Sequence, residues 1–186
     1  MMSFEEDSEL TPLTDAQMEA LRMLTIERAP GELAAVERAA TDLDLFYALP
    51  HAAMGAWHLG KIDLAISLAE KAFALAPNFT DDWNYGNALH FGHTALGLCA
   101  LHNGQIEEAL TRLHQAGETP GSPQLNSFGP SMQLAKALAK QGEFSAVVNY
   151  LEQCRVFWKS GDVWLALWEK KLLAGEVPNF SFSAYR

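Results

Sequence analysis

Gly60-Lys-Ile-Asp-Leu-Ala-Ile66, Gly104-Gln-Ile-Glu-Glu-Ala-Leu110 and Gly142-Glu-Phe-Ser-Ala-Val-Val148 are three versions of one short pattern. The small residues around each glycine keep the same spacing. Before it, at a common offset, stand Ala53, Gly97 and Ala135; after it stand Ala65, Ala109 and Val147, and then Ala72, Ala116 and Cys154. Glycine takes up the left-handed backbone that ends a helix and turns the chain. Small residues on both sides of such a turn let two antiparallel helices approach closely. The pattern therefore predicts stacked helical hairpins, an architecture that usually binds something rather than catalyses.

The rest of the chain is read outward from these turns. Thr14-Asp-Ala-Gln17 has capping-box character and predicts a helix from Asp15 to about Ala29. Pro30-Gly31 is expected to break it, with Pro30 in the first turn of a second helix reaching about Leu49. Pro50 is expected to start the first clear hairpin, whose second helix runs from Ile62 to Ala76 with Leu64, Leu68, Ala72 and Leu75 on one stripe. Thr80 or Asp81 is expected to cap a longer helix ending near His102, paired with a helix from Gln105 to about Ala116. Gly117 to Gly129 reads as the longest loop, with Leu125 and Phe128 plugging a gap between hairpins; the alternative is a functional loop. Pro130 opens the third hairpin, whose second helix runs from Glu143 to about Trp158, and a last helix ends near Ala174. No alternating strand pattern bounded by hairpin signals occurs. The predicted fold is all-α: stacked antiparallel helical hairpins, roughly nine helices, with the N-terminal pair as a degenerate fourth hairpin. Residues 1–13 are expected to form a disordered acidic lead, 14–176 a single helical-repeat domain with its best repeats within 50–158, and 177–186 a C-terminal tail.

A chain of 186 residues with 49% hydrophobic content and mean hydropathy near zero is long enough for one buried core. No apolar run approaches the roughly 20 residues of a membrane span, and the acidic start lacks the positive, then apolar, signature of a secretory signal. Cys99 and Cys154 show no metal-type spacing and read as reduced thiols packed as small apolar groups, so a cytoplasmic protein is expected. The net charge of −10 is unevenly placed: residues 1–20 carry −6, whereas 121–186 carry +2. An acidic body repels phosphate backbones and argues against nucleic acid as the partner. Its favoured partner is a basic protein or peptide, although acidity also serves simply to keep a protein in solution.

Ala53, Gly60, Ala65, Ala72 and Pro77 together resemble a tetratricopeptide repeat, and Gly97, Gly104, Ala109 and Ala116 resemble a second unit. Ala135, Gly142, Val147 and Cys154 match more loosely. The glycines lie 44 and 38 residues apart, longer than the family's usual period of about 34. The resemblance implies a concave binding surface lined by the first helix of each hairpin. On this chain that surface would comprise Met54, Trp57 and His58, then Thr94, Leu98 and His102, then Met132, Lys136 and Lys140. Some members grip a peptide's terminal carboxylate with Lys, Arg and Asn on the first two such helices. Here Pro50, Met54, Thr94 and Leu98 stand in that neighbourhood, so that activity is not predicted. The resulting groove is mixed apolar and basic, and either receives a partner, with Trp57 as anchor, or holds the chain's own N-terminal helices or acidic lead.

Among chemical alternatives, His90 and His93 share a helix face and suggest a metal-dependent protein, but His102 and Cys99 lie off that face. Phosphate-binding glycine loops, a Gly-x-Ser-x-Gly elbow and His-Glu-x-x-His are all missing from the sequence. A cysteine on a buried helix face is usually inert, so Cys99 with His102 is read as packing rather than a nucleophile pair. Trp158, Trp164 and Trp168 mark the end of the array; covering the open core edge is their expected role, and homodimer contact through the last helix is the alternative. The sequence thus points to a non-enzymatic protein-interaction module with no catalytic residue, metal or cofactor. An acidic inhibitor or immunity-type protein that neutralises a toxin or enzyme is the alternative within the binding class. A metal-dependent protein using His90 and His93 is the rival outside it.

Overall fold

The computed structural model describes residues 12–181, and in it Gly60, Gly104 and Gly142 all take left-handed backbone, with φ of 70°, 76° and 88°. Each is closed by the same pair of hydrogen bonds. The glycine N–H donates three residues back, to Trp57, Leu101 or Ala139, and the next N–H donates five back, to Ala56, Ala100 or Leu138. These bonds satisfy carbonyls that a helix end leaves open. Gly175, with φ 77°, ends the last helix in the same way.

The described residues form nine α-helices and two short 3-10 turns, with no β-strand among them. They are α1 (Asp15–Arg38), α2 (Asp42–His58), α3 (Ile62–Leu75), α4 (Tyr85–His102), α5 (Ile106–Gly117), α6 (Pro123–Phe128), α7 (Gln133–Lys140), α8 (Phe144–Phe157) and α9 (Asp162–Leu173). The three predicted hairpins are α2–α3, α4–α5 and α7–α8. They stack in order, with α4 against both α2 and α3, α7 against α4 and α5, and α8 against α5 and α9. All the small residues of the repeated pattern are buried. At Gly97 a Cβ would run into the side chains of Leu134 and Arg112, so the α4–α5–α7 contact needs a residue without one.

Several expected boundaries move. Neither Pro30 nor Pro50 breaks a helix: both lie inside one, in α1 and α2. The chain turns instead at 39–41, where Thr41 and Asp44 make a reciprocal capping box. A proline cannot donate to the carbonyl four residues back. For Pro50 that carbonyl belongs to Phe46, and the buried Asn84 side-chain amide supplies the missing donor at 3.2 Å. Thr80 and Asp81 do not cap α4, which begins at Tyr85; Asp82 accepts from the Tyr47 hydroxyl and the Asn84 N–H in the turn before it. On α3 the buried stripe is Ala65, Leu68, Ala69 and Ala72, while Leu64 faces solvent. The expected long loop contains α6, capped by Ser122; Leu125 enters the core, but Phe128 is 55% exposed and fills no gap.

Trp158, Trp168 and Phe180 are buried together at the C-terminal end, with Trp168 and Phe180 edge to face at 5.2 Å. The tail therefore folds back, and Asn179 Nδ2 donates to the Leu13 carbonyl at 2.9 Å, joining the two ends of the described chain. With Trp168 buried and Trp164 half-buried, a dimer through α9 would have to use Val163 and Leu173, the large apolar residues that helix exposes. Of the expected acidic lead only Pro12 and Leu13 are described, and Leu13 packs against the core; residues 1–11, and 182–186 of the tail, lie outside the described residues. No helix of the described residues is long and apolar enough to cross a membrane.

A candidate binding groove beneath the first helix

The first helix, α1, runs antiparallel to α2 and lies over the face made by α2, α4 and α7. Its start is within electrostatic reach of α7, through Asp15 and Lys136, and its middle meets α2. α1 and α2 approach closely at Gly55, where a Cβ would stand 2.7 Å from Glu32 Oε2 and 3.3 Å from the Ala29 backbone. Only Met18, Thr25 and Ala29 of α1 are fully buried, with Leu33 and Val36 partly buried against the core.

Two adjoining openings lie beneath its residues 22–32. A cavity of about 170 Å³ lies among Thr25, Arg28 and Glu32 of α1, His51 and Met54 of α2, and Phe91 of α4. Next to it is a groove of about 360 Å³ with Trp57, His58 and Leu98 on one side, Lys136 and Lys140 on another, and Arg22 of α1 above. His58 and Gln133 line both, so the two openings adjoin.

Five of the nine residues expected on the concave face thus meet in the larger groove: Trp57, His58, Leu98, Lys136 and Lys140. Met54 is 5% exposed and walls the smaller cavity. His102 is exposed at the edge, with its ring edge-on to Trp57 at 5.9 Å. Thr94 and Met132 do not belong to the surface. The Thr94 hydroxyl is buried on the His90 carbonyl at 2.8 Å, and Met132 is fully buried before α7. Thr94 lies inward because α4 is surrounded by α2, α3, α5 and α7, leaving it almost no free face. Sequence reasoning missed Arg22, Thr25, Arg28 and Glu32, which α1 brings over the groove. The idea that N-terminal helices fill it was available, but α1 has so little apolar periodicity that no face could be assigned.

The charges in this region are shaped by partial burial. Burial, with the Arg22 and Arg28 cations nearby, pulls His58 down to about 4, and its buried Nε2 has no hydrogen-bond partner. Burial raises the Glu32 carboxyl, opposed by Arg28. Lys136 is lowered, first by burial and then by Lys140, with Asp15 acting the other way. Arg22 is held by Glu19 at 2.6 and 2.8 Å. The larger groove therefore carries three cations on its walls, and none of its described lining residues is acidic.

The histidine pair considered for metal binding serves the core. His90 is fully buried; its Nδ1 lies 3.0 Å from the Ala116 carbonyl and its Nε2 accepts from the Ser131 N–H at 2.9 Å. Nδ1 donates and Nε2 accepts, so neither ring nitrogen is available to a metal without breaking the core. The His93 ring packs on Phe73 at 4.5 Å. Among the described residues no group of three or more His, Cys, Asp or Glu is placed to hold a metal ion. Burial raises both thiols, Cys99 to about 11, and Cys99 Sγ faces the Ile62 carbonyl rather than a base.

Compared with models of known protein families, with curated proteins and with solved structures, the chain matches none.

Proposed function

We propose that this protein is a non-enzymatic interaction module of tetratricopeptide-like helical hairpins that holds a segment of a partner protein or peptide in the groove beneath α1. The observation that supports this is the half-buried Trp57 indole beside a 360 Å³ opening floored by Leu98 and rimmed by charge. An aromatic anchor in a partly dry groove with a polar rim is the usual energetic centre of an interface. The buried, unactivated thiols and the engaged His90 suit a binding role, and reduced thiols suit a cytoplasmic setting.

The test is selection of peptides from a random displayed library against the full chain, counter-screened with Trp57→Ala. Peptides should be enriched that lose about tenfold or more in affinity on Trp57→Ala, as for an anchor worth about 2 kcal/mol. The melting temperature of that variant should stay close to the parent. Absence of any enriched peptide, or enrichment indifferent to Trp57, would reject the groove; a strongly lowered melt would assign Trp57 to the core.

A further inference from the structure

We infer that the segment held in the groove is acidic: an extended peptide whose Asp or Glu side chains meet Lys136, Lys140 and Arg22 while an apolar side chain lies on Trp57. This rests on the groove reading above and inverts the expectation drawn from overall charge.

The argument is one of charge placement. The chain has 13 Lys and Arg against 23 Asp and Glu, yet three cations line one small opening, Arg22 among them held by Glu19, and a fourth, Arg28, lines the cavity beside it together with Glu32. Lys136 and Lys140 stand one helical turn apart on α7, where two like charges disfavour each other. Burial, and then the Lys140 charge, make Lys136 harder to keep charged. A carboxylate brought near both ammonium groups is attracted by each of them. Asp15, at the start of α1, is near enough to Lys136 to favour its charged form. Trp57 and Leu98 add an apolar strip alongside, so the complementary ligand alternates acidic with apolar side chains. A nucleic acid fits less well, because its phosphates would continue past the groove over an acidic body.

The experiment uses three fluorescent peptides of about eight residues, capped at both ends, in which Leu and Phe alternate with Glu, with Gln or with Lys. Binding to the full chain is read by anisotropy at low and raised salt. The Glu peptide should bind at least about tenfold tighter than the Gln peptide and weaken with salt, and the Lys peptide should bind weakest. Lys136→Gln with Lys140→Gln should erase the difference between Glu and Gln peptides, and Lys136→Arg with Lys140→Arg should keep it. If the Gln or Lys peptide binds as well as the Glu peptide, and Trp57→Ala still weakens it, the groove stands and its acidic preference is wrong. If none of the three binds while library-selected peptides do, the preference is likewise wrong. Tighter binding of a short oligothymidylate at the same salt overturns the peptide assignment. If the Glu peptide binds only after Glu5, Glu6, Asp7 and Glu9 are changed to their amides, the occupant is the chain's own start, and the partner assignment falls.

Discussion

Gly97 and Gly104 lie in the same hairpin and are required for different reasons. Gly104 has φ 76° with open space where a Cβ would go, so its constraint is backbone conformation alone. Gly97 sits inside α4, and its constraint is volume, since the Leu134 and Arg112 side chains occupy the Cβ position. Gly104→Ala should therefore cost about 1 kcal/mol, and Gly104→Asn less, because Asn tolerates left-handed backbone. At Gly97 the order should reverse: Ala costs about 1–3 kcal/mol by overpacking, and Asn costs more because it is larger and polar. Urea unfolding of the four variants checks this, and the same rank order at both positions would refute the distinction. This part of the fold was legible in the sequence because a repeated glycine at a fixed offset from small residues has few other physical explanations.

At the level of elements, legibility failed where one residue's preference was taken as a boundary. Pro30 and Pro50 read as breaks because proline removes a helix hydrogen bond, but a helix continues through it when the orphaned carbonyl finds another donor. Pro30 is exposed to water, whereas Pro50 depends on Asn84, a residue 34 positions away that no local reading connects to it. The true boundary signal, Thr41 with Asp44, was present but overshadowed by the prolines. The dependence is testable. Asn84→Ala leaves the Phe46 carbonyl buried without that donor and should cost about 1–3 kcal/mol. In a Pro50→Ala background the restored N–H can serve that carbonyl, so the same Asn84→Ala change should cost measurably less. A double-mutant cycle by denaturant unfolding reads the coupling, and strictly additive losses would show that Asn84 acts elsewhere, through Asn87 for example.

On the scale of the whole molecule, the first helix converts an open face into a covered groove, and this was the least legible feature: repeat spacing locates α2, α4 and α7 but says nothing of a helix outside the pattern. Covering that face brings His58 into low dielectric, and the packing around α4 does the same to His90 and His93. His58, His90 and His93 are all pulled to about 4 by burial, from an ordinary value of 6.5. Above about pH 6.5 they are neutral in both folded and unfolded chains and add no pH dependence. Between there and about pH 4 the unfolded chain takes up protons that the folded chain refuses, so stability falls as pH falls. For His90, fully buried, the full difference is about 3 kcal/mol by pH 4. His58 and His93 contribute less, being partly exposed to solvent. Glu32, raised by burial, acts with the opposite sign: as pH falls through its raised value towards the ordinary carboxylate value the folded chain takes up a proton first, which offsets part of the loss. His90→Phe separates the terms: it leaves the Ala116 carbonyl and the Ser131 N–H unpaired, and should cost about 2–4 kcal/mol at pH 7. It also removes one proton uptake, so the stability curves of parent and variant should draw together as pH drops from 6.5 to 4. Urea titrations across that range measure both curves, and curves that stay parallel would mean that His90 is not the group whose protonation the fold resists.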